Sequence, residues 1–338
     1  MKKIILYLNI LFILLVLPSC KTTKLTKVTL SEVTHSIFYA PQYVAITKGY
    51  FEEEGIKIDL VNAGGADRVM ASLLSKDADI GFSGPEATIY VYNNGQSDYM
   101  INFAQLTQKD GSFIVGRTKD EAFTLNKLKG KSILGGRLGG VPEMTLEYVI
   151  KKQGLTISRT GFDQDVYVRT DIQFNAMAGS FVNGEGDYTT LFEPTATSLE
   201  KAGKVFVLAS VGQFSDYIPY TSYYVTKSYM EKNQEILKKF TKAIYRGQQF
   251  ITNSTDLEVA KEIQKTFSDL TIEELVTIVK RYREADVWCK TPYFSSEGLN
   301  TLMDVMEEAK ELSKRAPFEK IVDNSFANDV INNYTSDK

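Results

Sequence analysis

Three short stretches combine residue types and spacing that could hold a small molecule. The first runs from Ser36 to Gln42, just after a β-branched segment. Phe38 and Tyr39 can stack on a flat ligand, and Gln42 can both donate and accept hydrogen bonds. Equally open at this point is Phe38 in a core, with Tyr39 packed on a domain surface. The second stretch is Ser83-Gly84-Pro85-Glu86. Ser83 offers a hydroxyl, Gly84 permits close backbone approach, and Glu86 could face a cationic or N–H-rich ligand. The competing reading is an ordinary strand-to-helix turn in which Glu86 favours the helix dipole. The third is Gly135-Gly136-Arg137-Leu138-Gly139-Gly140-Val141-Pro142-Glu143. Four glycines ahead of a helix would leave backbone amides, those of Gly139 and Gly140 above all, free for a polar or anionic group. A structural turn is the alternative. The run is not a nucleotide loop, because the G-K-[ST] ending is missing and the dinucleotide glycine spacing fails. Asp110, Glu193 and Tyr220 fall at expected strand ends or crossings and are secondary candidates; Glu193 fits a helix N-terminus equally well.

Other chemistries find little support. His35 is the only histidine and Cys289 the only cysteine besides Cys20. A zinc site of His and Cys cannot be assembled from one His and one free Cys. Any Ser-His-Asp or Cys-His pair must use His35, and no flanking motif supports one. His35 therefore reads as structural or cleft-lining, and Trp288, the only tryptophan, as core or domain surface rather than a cap. Carboxylate pairs for glycoside hydrolysis are not identifiable by spacing. No cofactor is expected, and neither is nucleic-acid binding, since the acidic balance leaves no basic footprint.

The elements that must position these stretches follow from periodicity and punctuation. Val28–Val33, Ile56–Val61 and Asp79–Ser83 read as strands. Helices are expected at Ala40–Gly49, opened by Pro41, at Asp67–Leu74 with Val69, Met70, Leu73 and Leu74 on one face, and at Pro85–Tyr92. This βαβαβα order predicts a mainly parallel sheet with helices on both faces. The pattern then restarts. Met100–Thr107 and Ser112–Arg117 read as strands around Lys109-Asp110-Gly111. Further strands follow at Lys131–Leu134, Tyr188–Leu191 and Val205–Ala209, with helices at Pro142–Lys152 and from about Pro194. Tyr223–Thr226 reads as a strand returning to the first unit. Beyond Ser228 the chain reads as helical, at Lys232–Phe250, Leu257–Phe267, Ile272–Arg283 and Ser296–Leu312. The restart and the return strand predict a discontinuous lobe, residues 28–110 and 222–333, with a second lobe, residues 111–221, inserted into it.

The N-terminus carries an address. Lys2 and Lys3 precede an apolar run, Ile4 to Leu17, broken only by Asn9. It is shorter than the roughly 20 residues a membrane span needs and matches a signal-peptide core. An uncleaved anchor or a buried helix are the alternatives. Residues 21–27 read as a polar, basic tether. With the leader gone, 37 of the 39 basic side chains remain against 42 acidic ones, a net charge of −5. If Cys20 is modified, Cys289 has no partner within the chain and the core alone must hold the fold.

Family resemblance adds to this. Leu17-Pro18-Ser19-Cys20 resembles the bacterial lipobox, which implies cleavage after residue 19 and a lipid on Cys20. The run from Phe38 through Ala40-Pro41-Gln42 and Lys48-Gly49-Tyr50-Phe51 to Gly55-Ile56 resembles the opening of a family of ABC-transporter solute-binding proteins. That family includes aliphatic-sulfonate, nitrate and thiamin-pyrimidine-precursor binders. Leu73–Glu86 and Gly184-Glu185-Gly186-Asp187-Tyr188 with Leu191-Phe192-Glu193-Pro194 fit it in the same order. The resemblance implies an α/β, two-lobe type II periplasmic-binding-protein fold, with mixed sheets flanked by helices and ligand in the cleft. It also implies a non-enzymatic monomer, lipid-anchored on the extracytoplasmic face of a bacterial membrane, working with an ABC permease and its ATPase. A fungal pyrimidine synthase shares the family, but the matching motif places Tyr39, not His35, at its active-site histidine, and its cysteine run has no counterpart. A surface adhesin or signalling receptor is a third reading. Aromatics near Tyr39 and an acid at Glu86 favour a planar nitrogen heterocycle, such as a thiamin-type pyrimidine, over a sulfonate.

Overall fold

The computed structural model describes residues 24–334. The leader, Cys20 and the start of the tether lie outside the described residues. Strand β1 (Thr26–Glu32) buries Val28 and Leu30 fully with Thr29 more accessible between them, and stays buried through Ser31 and Glu32, as suits a strand paired on both sides. It pairs in parallel with β2 (Ile56–Asn62) on one side and β3 (Ile80–Ser83) on the other. The crossovers are helices, Ala40–Thr47 and Tyr50–Glu53, then Ala66–Leu74. Proline sits in the first turn of Ala40–Thr47, where its missing N–H is not needed. In Ala66–Leu74 the buried face is Val69, Met70 and Leu73; Leu74, expected on that face, is 44% exposed. It lies one residue past Leu73, about 100° round the helix, and turns outward.

After helix Glu86–Asn93 comes β4 (Met100–Thr107), and the chain then leaves for a second sheet. Its strands are β5 (Phe113–Gly116), β6 (Lys131–Leu134), β7 (Ile157–Ser158), β8 (Val166–Arg169), β9 (Tyr188–Leu191) and β10 (Phe206–Ser210). β11 (Thr221–Thr226) returns and lies antiparallel between β3 and β4. The sheet orders are β2-β1-β3-β11-β4 and β10-β5-β9-β6-β8-β7. Both sheets are mixed, as the resemblance implied and the βαβ pattern alone did not. The short β7, β8 and helix Met177–Val182 lie in a segment where no element was expected; two to six residues are too few to set a period.

Helices cover the first sheet. Gln234–Asn253 buries Leu237, Phe240, Ile244 and Ile251, and its Gly247 lets it press against the Pro41 carbonyl. Asp256–Ile263 and Ile272–Glu284 each begin with a capping box, Thr255 with Glu258 and Thr271 with Glu274. Ser296–Glu308, Phe318–Ile321 and Ser325–Asn333 follow, the last two unforeseen in the sequence.

The two connections between the sheets run side by side. The amides of Val211, Ile218 and Tyr220 donate to the carbonyls of Ser112, Gln108 and Thr107, each at 3.0 Å. Gly212 lies so close to the Asp110 carbonyl that a Cβ would overlap it. A third stretch joins them: Cys289 N–H donates to Leu106 O at 3.0 Å, and the Trp288 indole N–H to Phe38 O at 2.9 Å. Trp288 is buried, edge-on to Tyr282, so it caps nothing.

Candidate functional site

A cavity opens between the two sheets, beyond the carboxyl ends of their parallel strands, where α/β sheets place ligands. Counted at water centres it holds about 110 Å³, several times the roughly 10–15 Å³ that a single water requires. From the first sheet, the turn after β1 contributes Val33, Thr34, Phe38 and Tyr39. Gly64 to Arg68, the turn after β2 and the start of helix Ala66–Leu74, with Gly84 and Glu86 after β3, complete that wall. From the second sheet come Gly136–Arg137 and Gly140–Glu143 after β6, Gln173–Asn175 after β8 and Phe192 after β9, with Tyr220 and Thr221 at the connection.

One wall is aromatic. Phe38 lies 5.4 Å from Phe192 and 5.6 Å, edge-on, from Tyr220; Phe174 follows at 5.7 Å from Phe192. Tyr39 is held edge-on to Phe82 at 4.5 Å. Burial, with Glu32 and Glu86 nearby, raises its phenol well above the usual range. Phe38 and Tyr39 are thus buried and cavity-lining at once, so the two readings of them are not exclusive.

The same cavity is lined by Glu86, 2% exposed, with Oε2 lacking any hydrogen-bond partner. Burial lifts its carboxyl to about 7, against the pull of Arg137 and nearby backbone N–H groups, including that of Val141 across the cleft. The close approach that Gly84 permits is used by this carboxylate, which a Cβ there would overlap, with Val141 Cγ2 at 3.0 Å. Arg137 forms no ion pair within 4.0 Å among the described residues.

Several expected site residues lie elsewhere. Gln42 is fully buried inside the first unit, donating to Glu32 Oε2 at 2.7 Å and accepting from the Tyr223 hydroxyl at 2.9 Å. Ser83 is also fully buried and shares a 2.7 Å hydrogen bond with Tyr224. Asp110 sits between the connections, accepting from Ser112 N–H and Oγ at 2.6 Å and from the Tyr220 hydroxyl at 2.8 Å; burial raises it to about 6. It supports Tyr220 rather than facing the cavity. Glu193 accepts from the Thr197 amide and hydroxyl at 2.8 Å, steadying helix Thr195–Lys201, and pairs with Arg281 at 3.0 Å. That is its helix-terminus reading. His35 stacks on Phe267 at 4.5 Å, with Nδ1 3.5 Å from Glu32, beside the main cavity.

The glycine loop needs a correction. Its amides were expected to be free, yet Gly139 N–H donates to Glu143 Oε2 at 3.1 Å and Gly140 N–H to Arg137 O at 3.2 Å. Gly140 lines the cavity; Gly139, at φ +72°, turns the loop. A loop this short satisfies its own donors before offering them outward. Sequence reasoning missed Arg137, Glu143, Arg68, Phe174 and Phe192. The first two lie inside the glycine run that was singled out, and Gly64-Gly65 after β2 repeats the strand-glycine-helix signal beside Arg68.

One rim of the cavity is clasped shut. Tyr90 OH donates to Gly139 O at 3.0 Å. Arg159 binds Glu147 at 2.6 and 2.9 Å and reaches Glu311 Oε1 and Ala309 O at 3.1 Å on the facing unit. Its Nε lies 3.2 Å from Glu143, whose carboxyl burial and the neighbouring Glu147 raise to about 8.

Known proteins resemble this chain in sequence and in fold. A family profile described as NMT1/THI5 like matches residues 37–256. The chain is 40% identical over 321 residues, 95% of each chain, to YtlA of Bacillus subtilis (strain 168), named as a binding protein. Among solved structures it resembles the alkanesulfonate-binding protein SsuA from Xanthomonas axonopodis pv. citri, at 15% identity and TM-score 0.68, covering 88% of this chain and 98% of that one. It also resembles the periplasmic nitrate-binding protein NrtA from Synechocystis PCC 6803, at 16% identity and TM-score 0.59, over 76% of this chain and 70% of that one. These likenesses show the periplasmic-binding-protein fold.

Proposed function

The chain belongs to the NMT1/THI5-like family, and from that premise we propose that it is the solute-binding component of an ABC importer, capturing a planar nitrogen heterocycle such as a thiamin-type pyrimidine precursor. The observation that carries the ligand class is Glu86. A buried carboxylate oxygen without a partner, in a cavity also lined by Phe38, Tyr39, Phe192 and Tyr220, costs free energy that an N–H-bearing ring would recover. Tyr39 and Phe38 offer the stacking surface, with Tyr220 and Gly140 closing the cavity around it. The protein binds and releases its ligand unchanged.

Mechanism follows from two lobes, residues 28–110 with 222–333 and residues 111–221, joined by the paired connections. Ligand touching both lobes favours the closed form, which the permease and its ATPase then receive. The protein acts as a monomer, held on the extracytoplasmic face of the membrane by a lipid on Cys20.

A second reading, an aliphatic sulfonate or related anion, draws on Arg137 at the same cavity. Calorimetry on wild type and Glu86→Gln, with pyrimidine and alkanesulfonate panels, separates the two. The heterocycle reading expects pyrimidine binding weakened ten-fold or more in the variant. Tight sulfonate binding by the wild type, unharmed in the variant, would defeat it.

A further inference from the structure

The charged side chains that line the cavity are three acids, Asp67, Glu86 and Glu143, and two bases, Arg68 and Arg137. Glu86 and Asp67 stand on the wall built after β2 and β3; Arg137 enters from the loop after β6, and Arg68 from the start of helix Ala66–Leu74. Glu143 is already matched by Arg159. Glu86 and Arg137 feel each other, since the guanidinium lowers the Glu86 pKa, yet they come no closer than 4.0 Å. One is a buried carboxylate with an unsatisfied oxygen; the other is a half-buried guanidinium without an ion-pair partner among the described residues. Beside Arg137 begins the twelve-residue helix Val141–Lys152, whose first turn also lines the cavity and adds positive partial charge there.

A neutral ring satisfies Glu86 and leaves Arg137 idle. A simple sulfonate satisfies Arg137 and leaves Glu86 buried without a donor, at a cost that grows as water is excluded. Only a molecule with both functions answers both walls. We infer that the ligand is a planar N–H-bearing ring with an anionic substituent, its ring donating to Glu86 and its anion held by Arg137 at the start of helix Val141–Lys152. This rests on the heterocycle reading above and narrows it to an amphoteric ligand. Arg137 is then the residue that selects charged rings over neutral ones.

The test uses the whole mature protein freed of bound molecules, with three calorimetric probes: 4-aminopyrimidine, 4-aminopyrimidine-5-carboxylate and an alkanesulfonate. The carboxylated ring should bind at least ten-fold more tightly than the neutral one. Arg137→Gln should abolish that advantage, so that the two rings bind the variant alike. Equal binding of both rings, with Arg137→Gln affecting neither, would overturn the inference and leave the heterocycle reading intact. Alkanesulfonate binding with both rings refused would overturn the two together. Mass spectrometry of molecules released from natively purified protein gives an independent measure: a ring compound with an acidic group supports the assignment, and one without overturns it.

Discussion

Glu86 is one of three buried carboxyls that shape how the molecule responds to pH. Its carboxyl, with those of Glu143 and Asp110, is raised by burial to about 7, 8 and 6, from ordinary values of 4.5, 4.5 and 3.8. Between those limits the native chain keeps protons that the unfolded chain has released. Stability of the ligand-free protein therefore falls as pH rises through this window. Partly buried carboxylates such as Asp165 and Glu274, depressed to about 2 by their hydrogen-bond partners, act in the opposite sense, but below the unfolded carboxylate range. The unfolding midpoint should consequently be higher at about pH 5.5 than at about pH 8, with a shallower slope in Glu86→Gln. A midpoint climbing steadily across that interval would refute the burial account. Ligand affinity should move the other way. An N–H donor needs the ionised carboxylate, so binding weakens as pH drops below about 7 in wild type and not in Glu86→Gln.

At the scale of elements, what was legible in the sequence is what local rules write. Pro41 and Pro142 open helices, Gly49 and Gly84 close or bend segments, and β-branched runs gave β1, β2 and the return strand β11 within a residue or two. These rules place Phe38, Tyr39, Glu86 and Gly140 at strand-to-helix junctions that line the cavity. They do not say which way a side chain turns. Gln42 and Ser83 point inward because Glu32, Tyr223 and Tyr224, distant in sequence, supply partners there. Arg137 escaped notice because a lone arginine in a glycine run has no periodicity to betray it. The paired connections rest on a contact equally silent in sequence, Gly212 against the Asp110 carbonyl. Gly212→Ala forces them apart, and overpacking of this kind costs roughly 1–3 kcal/mol. Urea denaturation should show a lowered midpoint with an unchanged slope; an unaltered midpoint would mean the contact yields freely.

For the whole molecule, the proposed division into two lobes would make closure the functional event. Small-angle scattering should report a smaller radius of gyration with the true ligand than without it, and identical curves would exclude hinged capture. The anchor is a separate matter of address. Replacing Cys20 with Ala should release the protein into the medium or leave an unprocessed precursor; a variant that fractionates like wild type would remove the lipid from the account. The mobility that closure requires must also reckon with the Arg159 clasp, which already holds one rim together through Glu311 and Ala309.

Trp288 lies with its indole N–H on the carbonyl of Phe38, a residue of the cavity wall, and no other tryptophan exists in the chain. The protein therefore carries a single tryptophan fluorophore wired to its candidate binding site. Excited selectively, it speaks for one place only, with no need for a dye or an engineered label. A ligand settling on Phe38 should shift or quench its emission in a saturable titration, and stopped-flow recordings of that signal would time the capture step directly.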